Sequence, residues 1–277
     1  MPSQVITSPA VVVVGYTNID INIYPDRQVI SPGGGAYFAA LAASLVTKPI
    51  GLVTLIGSDF DPEFLLTRVL PAGVHRIADR PTSKSILTYR SLTDLSQRDQ
   101  RIEQGVGPEL KPVHFPTDWL ETAKFIHIET MPAPQQRLFL EYLRQQRVKA
   151  QISIDTDVFL LNTATDVDEV ESVFALADLV FVNRPEYTKL KKVVDSRPRS
   201  IVKFDKDGAE YREFGQTKVQ VKVPPIKAVD ATGAGDILAG NFLASLSQGV
   251  DAEQALQQAT ALATKSVTQQ GIDHLFT

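Results

Sequence analysis

No cysteine occurs among the 277 residues of this chain. That excludes disulfides, thiolate nucleophiles and cysteine-held metal. Lysine and arginine are absent before Arg27, and the apolar run AVVVVG at 10–15 is too short to span a bilayer or serve as a signal core. A formal net charge of -4 leaves no broad electrostatic footprint for nucleic acid. The chain therefore reads as cytoplasmic, with neither membrane nor nucleic acid as a partner. The usual nucleotide signatures are missing too: there is no Gly-Lys dipeptide for a P-loop, and no GxGxxG follows the first strand-like run. The 4 histidines share no metal-ligand spacing, and His127, on an apolar run, reads as structural.

What is present is an ordinary globular composition, 43% hydrophobic and 22% charged, long enough to bury a large core. Short Val- and Ile-rich runs recur at 11–15, 51–57, 125–129, 152–155, 179–182 and 200–204. Free of charge until their ends, they fit strands buried on both faces of a parallel sheet. Helical patterns fall between them, at about 35–46, 61–70, 134–147, 168–177 and 185–193, which predicts a doubly wound α/β fold. Residues 20–32 and 84–104 alternate without helices of their own and predict a small antiparallel flap, or lid, within a single domain spanning 1–277. After KVQVKVPP at 218–225 the chain reads as helical to its end.

Residues 229–240 read VDATGAGDILAG. Consecutive small residues at the mouth of a helix leave amides free to hold an anion. Asp236 is then either a helpful first-turn acid or a general base beside an anion hole formed by the amides of Ala234, Gly235 and Asp236.

The segment DATGAGDILAGNFLASL at 230–246 closely resembles the C-terminal signature of the ribokinase-like (PfkB) carbohydrate kinases, and PGGGAYFAALAASL at 32–45 resembles their N-terminal glycine signature. GYTNID at 15–20, GSDFD at 57–61, IHIETMP at 126–132 and NRPE at 183–186 follow in the family's order. The resemblance implies a ribokinase-like fold, a mostly parallel central sheet flanked by helices with a β flap, and an ATP- and Mg²⁺-dependent kinase. It implies Asp236 as catalytic base, with Gly233, Ala234 and Gly235 forming the anion hole. Asn18, Asp20, Gly33, Gly34, Tyr37 and Glu129 would face the acceptor. Asn183 and Glu186 would organise Mg²⁺ through water, with Lys203, Gly208 and Thr232 near the nucleotide. Asp230, with Thr232, lies where many members bind a monovalent cation, which extends the implied cofactors to K⁺. Pairing through the flap, as in many members, extends the implied partners to a second copy of the chain.

Two departures stand out. Tyr37 occupies a position that is Asn in many members, and the aromatic version resembles an inositol-kinase-like branch. In IVKFDKDGAE at 201–210, Lys203 and Asp205 replace the Thr and first Gly of a Thr-x-Gly-x-x-Gly pattern. A carboxylate there would repel a triphosphate to an extent set by its exposure. The expected activity is phosphorylation of a hydroxyl on a small sugar, polyol or nucleoside. Two alternatives remain: a non-catalytic sugar-binding sensor or partner-binding protein, and a kinase for a vitamin precursor such as a pyridoxal-like or pyrimidine alcohol.

Overall fold

The computed structural model describes residues 8–92, 95 and 98–277. Residues 93, 94, 96 and 97 of the expected flap lie outside the described residues. Four valines, Val11–Val14, form β1, and none is exposed. Branching at Cβ favours extended backbone, and burial on both faces selects the middle of a parallel sheet.

In chain order there follow β2 (Asn18–Ile23), β3 (Gln28–Gly33), α1 (Gly35–Ser44), β4 (Ile50–Ile56), α2 (Glu63–Leu66), β5 (Val69–Leu70), β6 (Val74–Arg76), β7 (Lys84–Tyr89) and β8 (Arg98–Glu103). Then come β9 (Phe125–Ile128), α3 (Ala133–Gln145), β10 (Gln151–Ile154), α4 (Ala164–Phe174), β11 (Leu179–Asn183), α5 (Arg184–Ser196) and β12 (Arg199–Lys203). β13 (Ala209–Glu213), β14 (Gln216–Val221), α6 (Ala234–Ser247) and α7 (Ala252–Ser266) complete the order.

The main sheet runs β14-β13-β12-β11-β10-β9-β1-β4-β5, with β6 also on β4. It is parallel except for the antiparallel pairings of β12 with β13 and β13 with β14. Helices α3, α4 and α5 cover one face, and α1, α6 and α7 the other. A second sheet, β3-β2-β7-β8, is built from two antiparallel pairs that meet along a parallel β2–β7 contact.

Two expectations are different. After β14 the chain is not helical to its end: no helix lies between β14 and Ala234, and only a single 3-10 turn, Asp273–Leu275, follows α7. The helix predicted over 61–70 is only the single turn of α2, started by Asp61 Oδ1 accepting from Glu63 N–H at 3.0 Å. Val69 and Leu70 instead pair with the edge of β4. A β-branched residue beside an open sheet edge, followed by Pro71, overrides helical spacing.

Register positions the site. Ile128 pairs with both Val14 and Ile154, so Glu129 and Asp155 leave the sheet side by side, and Asn183 pairs with Lys203. The carboxyl ends of parallel strands thus gather charged groups on one rim, where open α/β sheets hold ligands.

Candidate active site

β2 alternates buried and partly exposed residues, so Asn18, Asp20 and Asn22 share its inner face. Asp20 accepts from the Gly34 N–H, and burial, with Asp230 adding repulsion, lifts its carboxyl to about 7. A Cβ on Gly33 would stand 1.9 Å from Asp20 Oδ2, so only glycine leaves that carboxylate its place. Oδ1 of each of Asn18, Asp20 and Asn22 is buried without a hydrogen-bond partner. Orphaned acceptors are costly, and three on one strand face mark a surface built for donors.

The start of α6 faces this strand across the glycines. Gly233 is left-handed (φ 75°) and lies against the Phe38 ring, a place closed to any Cβ. The chain then enters α6: Ala234 N–H donates to Ala231 O at 3.4 Å, and the amides of Gly235 and Asp236 precede the first full helical bond, Ile237 N–H to Gly233 O at 2.8 Å. Asp236 and Glu129 approach each other over α1: the point where a Cβ on Gly35 would stand is 2.7 Å from Glu129 Oε2 and 3.5 Å from Asp236 Cγ. Burial raises the Asp236 carboxyl well above its ordinary range; Glu129, Asp155 and Asp157 push the same way, and Lys203 opposes them.

Lys203 is the counter-ion of this rim. Its Nζ donates to Asp155 Oδ2 and lies 3.2 Å from the point where a Cβ on Gly235 would stand. Burial works against the ammonium, but Asp155, Glu186 and Asp236 outweigh it and hold Lys203 above the usual lysine range. Asp155 is itself lifted by burial to about 6, with Lys203 restraining it. At the Thr position of the family pattern the chain therefore carries a fixed cation beside the start of α6. Asp205, the other departure, is exposed and left-handed (φ 54°), a conformation that Asp tolerates where the pattern has Gly. Gly208 closes the same turn at φ 102°, against Val221 O.

Asn183 and Glu186 cap α5 reciprocally. Asn183 Oδ1 accepts from Glu186 N–H at 3.0 Å, and Glu186 Oε2 accepts from Asn183 N–H at 2.6 Å. Glu186 Oε1 also accepts from Val158 N–H at 3.0 Å. Burial, then Asp155, raises Glu186 to about 8.

Asp230 and Thr232 meet the small sheet rather than the acid rim. Asp230 Oδ1 accepts from Thr232 N–H at 3.0 Å, while Oδ2 accepts from Gly271 N–H at 3.1 Å and from Gln270 Nε2 at 2.5 Å. The Thr232 hydroxyl is 3.1 Å from Asn22 Nδ2 and 3.3 Å from Tyr89 OH. Tyr37 is buried against Phe38 and Phe60. With Asn22, Ser31, Asp230 and Thr232 it lines a cavity of about 70 Å³.

The structure thus brings together Glu129, Lys203 and Asp236, and separately Asn18, Asp20, Gly33 and Gly34. Gly208 stands in a turn of its own. Sequence reasoning missed Asn22, Asp155, Asp157 and Gln270. Asn22 was within reach, since the alternation NIDINI sets it on the face of Asp20; so was Asp155, the acid ending the apolar run ISID. Gln270 carries no such signal.

The chain matches the pfkB family carbohydrate kinase description over residues 8–275, nearly its whole length. This chain belongs to that family. Its members are phosphotransferases acting on a hydroxyl, so the glycine turn before α6 and the buried acids of the rim fall within a kinase. The cytidine kinase of Thermococcus kodakarensis is 29% identical over 266 residues, covering 89% of this chain and 91% of that protein. A nucleoside kinase from Burkholderia thailandensis, solved with inosine, superimposes with a TM-score of 0.78 at 18% identity, over 95% of this chain and 92% of its own. An E. coli protein described as ribokinase II, solved with ATP and Mg²⁺, gives 0.77 at 20%, over 96% and 95%. At these identities the two solved structures establish the ribokinase-like fold.

Proposed function

We propose that this chain transfers the γ-phosphoryl group of ATP to a hydroxyl of a nucleoside or a related sugar. The carrying observation is the inner face of β2, where three buried acceptors without donors await hydroxyl hydrogens. The likeness to a cytidine kinase supports the nucleoside class. Gly33 and Gly35 link the two halves of the site.

In the proposed step the acceptor O–H loses its proton to Asp236, its oxygen forms the new bond to the γ-phosphorus, and the β–γ bridging P–O bond breaks to leave ADP. The first-turn amides of α6 and Lys203 hold the charge spread over the transferring oxygens. Mg²⁺, when bound with the nucleotide, supplies further charge neutralisation between the phosphates. The residues fit a water-mediated role in holding it: Glu186 is buried, its oxygens are occupied by N–H donors, and its raised carboxyl is one that a nearby cation would ease back to the charged form. K⁺, where bound at Asp230, would be met by Oδ1, which accepts from a single N–H, since Oδ2 already accepts from two.

The small sheet acts as the lid of this reading. Asn22 and Tyr89 tie it to Thr232, and the cavity beneath is small, so it must lift to admit an acceptor and close to exclude water. Its outer face carries Ile21, Ile23 and Ile30, the last 61% exposed. This is the surface through which two copies would pair. Light scattering should then show a dimer that Ile30→Lys converts to monomer; a monomer before the change would remove the pairing.

The function is tested by thermal shift with a panel of nucleosides, sugars and polyols, each with and without a non-hydrolysable Mg–ATP analogue. Nucleosides together with the analogue should raise the midpoint by several degrees at saturating concentration. Stabilisation by acceptors with none by the analogue would instead indicate the non-catalytic sensor.

A further inference from the structure

One buried group that the proposed mechanism leaves unused is His127. It lies in β9 two residues before Glu129, so both point to the same face, and Ser153 is its register partner in β10. All three side chains are essentially inaccessible. His127 Nε2 is 3.1 Å from Glu129 Oε1, and Nδ1 is 2.9 Å from Ser153 Oγ. An ionised carboxylate only accepts, so Nε2–H donates to Glu129, while Nδ1 and the serine hydroxyl share the second hydrogen bond. The Phe181 ring stands edge-on to the imidazole at 5.2 Å, so the chain from Ser153 to Glu129 runs through an apolar wall.

We propose that the Ser153–His127 pair is a positioning device that fixes Glu129 against Asp236, so that the acceptor hydroxyl meets both carboxylates in one orientation. The proposal rests on the reading of Asp236 as the base. With Oε1 tied to His127, Oε2 accepts from Thr130 N–H at 3.3 Å and is left on the side of Gly35, next to Asp236. Burial alone would neutralise Glu129, but His127, and then Lys203, reverse this and hold its carboxyl below the ordinary range. A Glu129 anion kept in place by His127 in turn makes Asp236 a stronger base, since two adjacent carboxylates resist ionising together. The other charged groups facing Asp236 are Asp155 and Asp157, which add to the effect, and Lys203, which opposes it. His127 touches no reacting atom in this scheme; it acts through Glu129.

The test reads Asp236 directly, without an acceptor. In the full-length protein labelled with ¹³C at aspartate carboxyls, the Asp236 resonance is assigned by its loss in Asp236→Asn, and its titration is followed in variants. Glu129→Gln and His127→Phe should each move that titration to lower pH by about one unit or more, the effect of losing a close like charge. The double variant should match Glu129→Gln alone. His127→Gln, which keeps an N–H donor, should restore the titration toward wild type. An unchanged Asp236 titration in folded His127→Phe overturns the proposal. If that variant does not fold, Ser153→Ala and Glu129→Gln decide: an unmoved titration in either overturns it, and a downward shift in both supports it. Full turnover by Asp236→Asn would remove the base assignment, a separate result from any of these.

Discussion

Asp236→Asn is expected to lower kcat by at least about 100-fold, the ordinary contribution of a positioned general base. The amide is nearly isosteric, so acceptor affinity and the unfolding midpoint should be retained, and the loss should fall on kcat rather than KM. The pH profile adds a second readout. Burial and the neighbouring acids hold the Asp236 carboxyl well above its ordinary range, so it takes up its proton at a higher pH than a free aspartate. Activity should therefore fall on acidification before an ordinary carboxylate would titrate. That acid limb should disappear in the Asn variant. Steady-state kinetics across pH measures both effects, and an Asn variant with wild-type kcat would sink the assignment.

Lys203→Met should cost about 3–5 kcal/mol of stability, the usual result of removing one member of a buried ion pair. The ammonium is 13% exposed and Asp155 1%, so solvent can do little to replace it. The loss depends on pH in a definite direction. Asp155 and Glu186 have folded-state carboxyls raised to about 6 and about 8, and without Lys203 both rise further. Acids whose folded pKa exceeds the unfolded one favour the folded state below the unfolded pKa and lose that advantage as pH rises through the folded value. The deficit should thus be smallest in mild acid and grow toward neutrality. Urea unfolding at two pH values measures it, and Lys203→Met/Asp155→Asn should recover much of the loss. A loss under about 1 kcal/mol at neutral pH would mean that water already screens the pair.

Much of the main sheet could be read from residues alone, because Val11–Val14 and its neighbours are buried on both faces and show it as unbroken apolar runs. The single-turn α2 could not: EFLLTRVL has helical spacing, and only the edge of β4, distant in sequence, draws Val69 into a strand. Of the candidate site, the GAGD turn was visible because its chemistry is local. The rim was visible only in pieces. Glu129, Asp155 and Lys203 end three different strands, and their proximity is a property of register. His127 shows the limit best. Its alternation with Glu129 was plain in FIHIE, yet its purpose depends on Ser153, which arrives from the adjacent strand.

Gly240 has a consequence of another kind. A Cβ there would stand 2.0 Å from the Ala39 carbonyl oxygen, so α6 and α1 touch backbone to backbone. The two helices that begin in the glycine signatures are thereby welded into one block, and floor and anion hole share a frame that ligand preference cannot easily disturb. In the proposed function recognition falls to β2 and the small sheet, which meet that block through exchangeable side chains such as Asn22 and Tyr89. A lineage built this way can change what it phosphorylates by altering the cover while inheriting the chemistry intact.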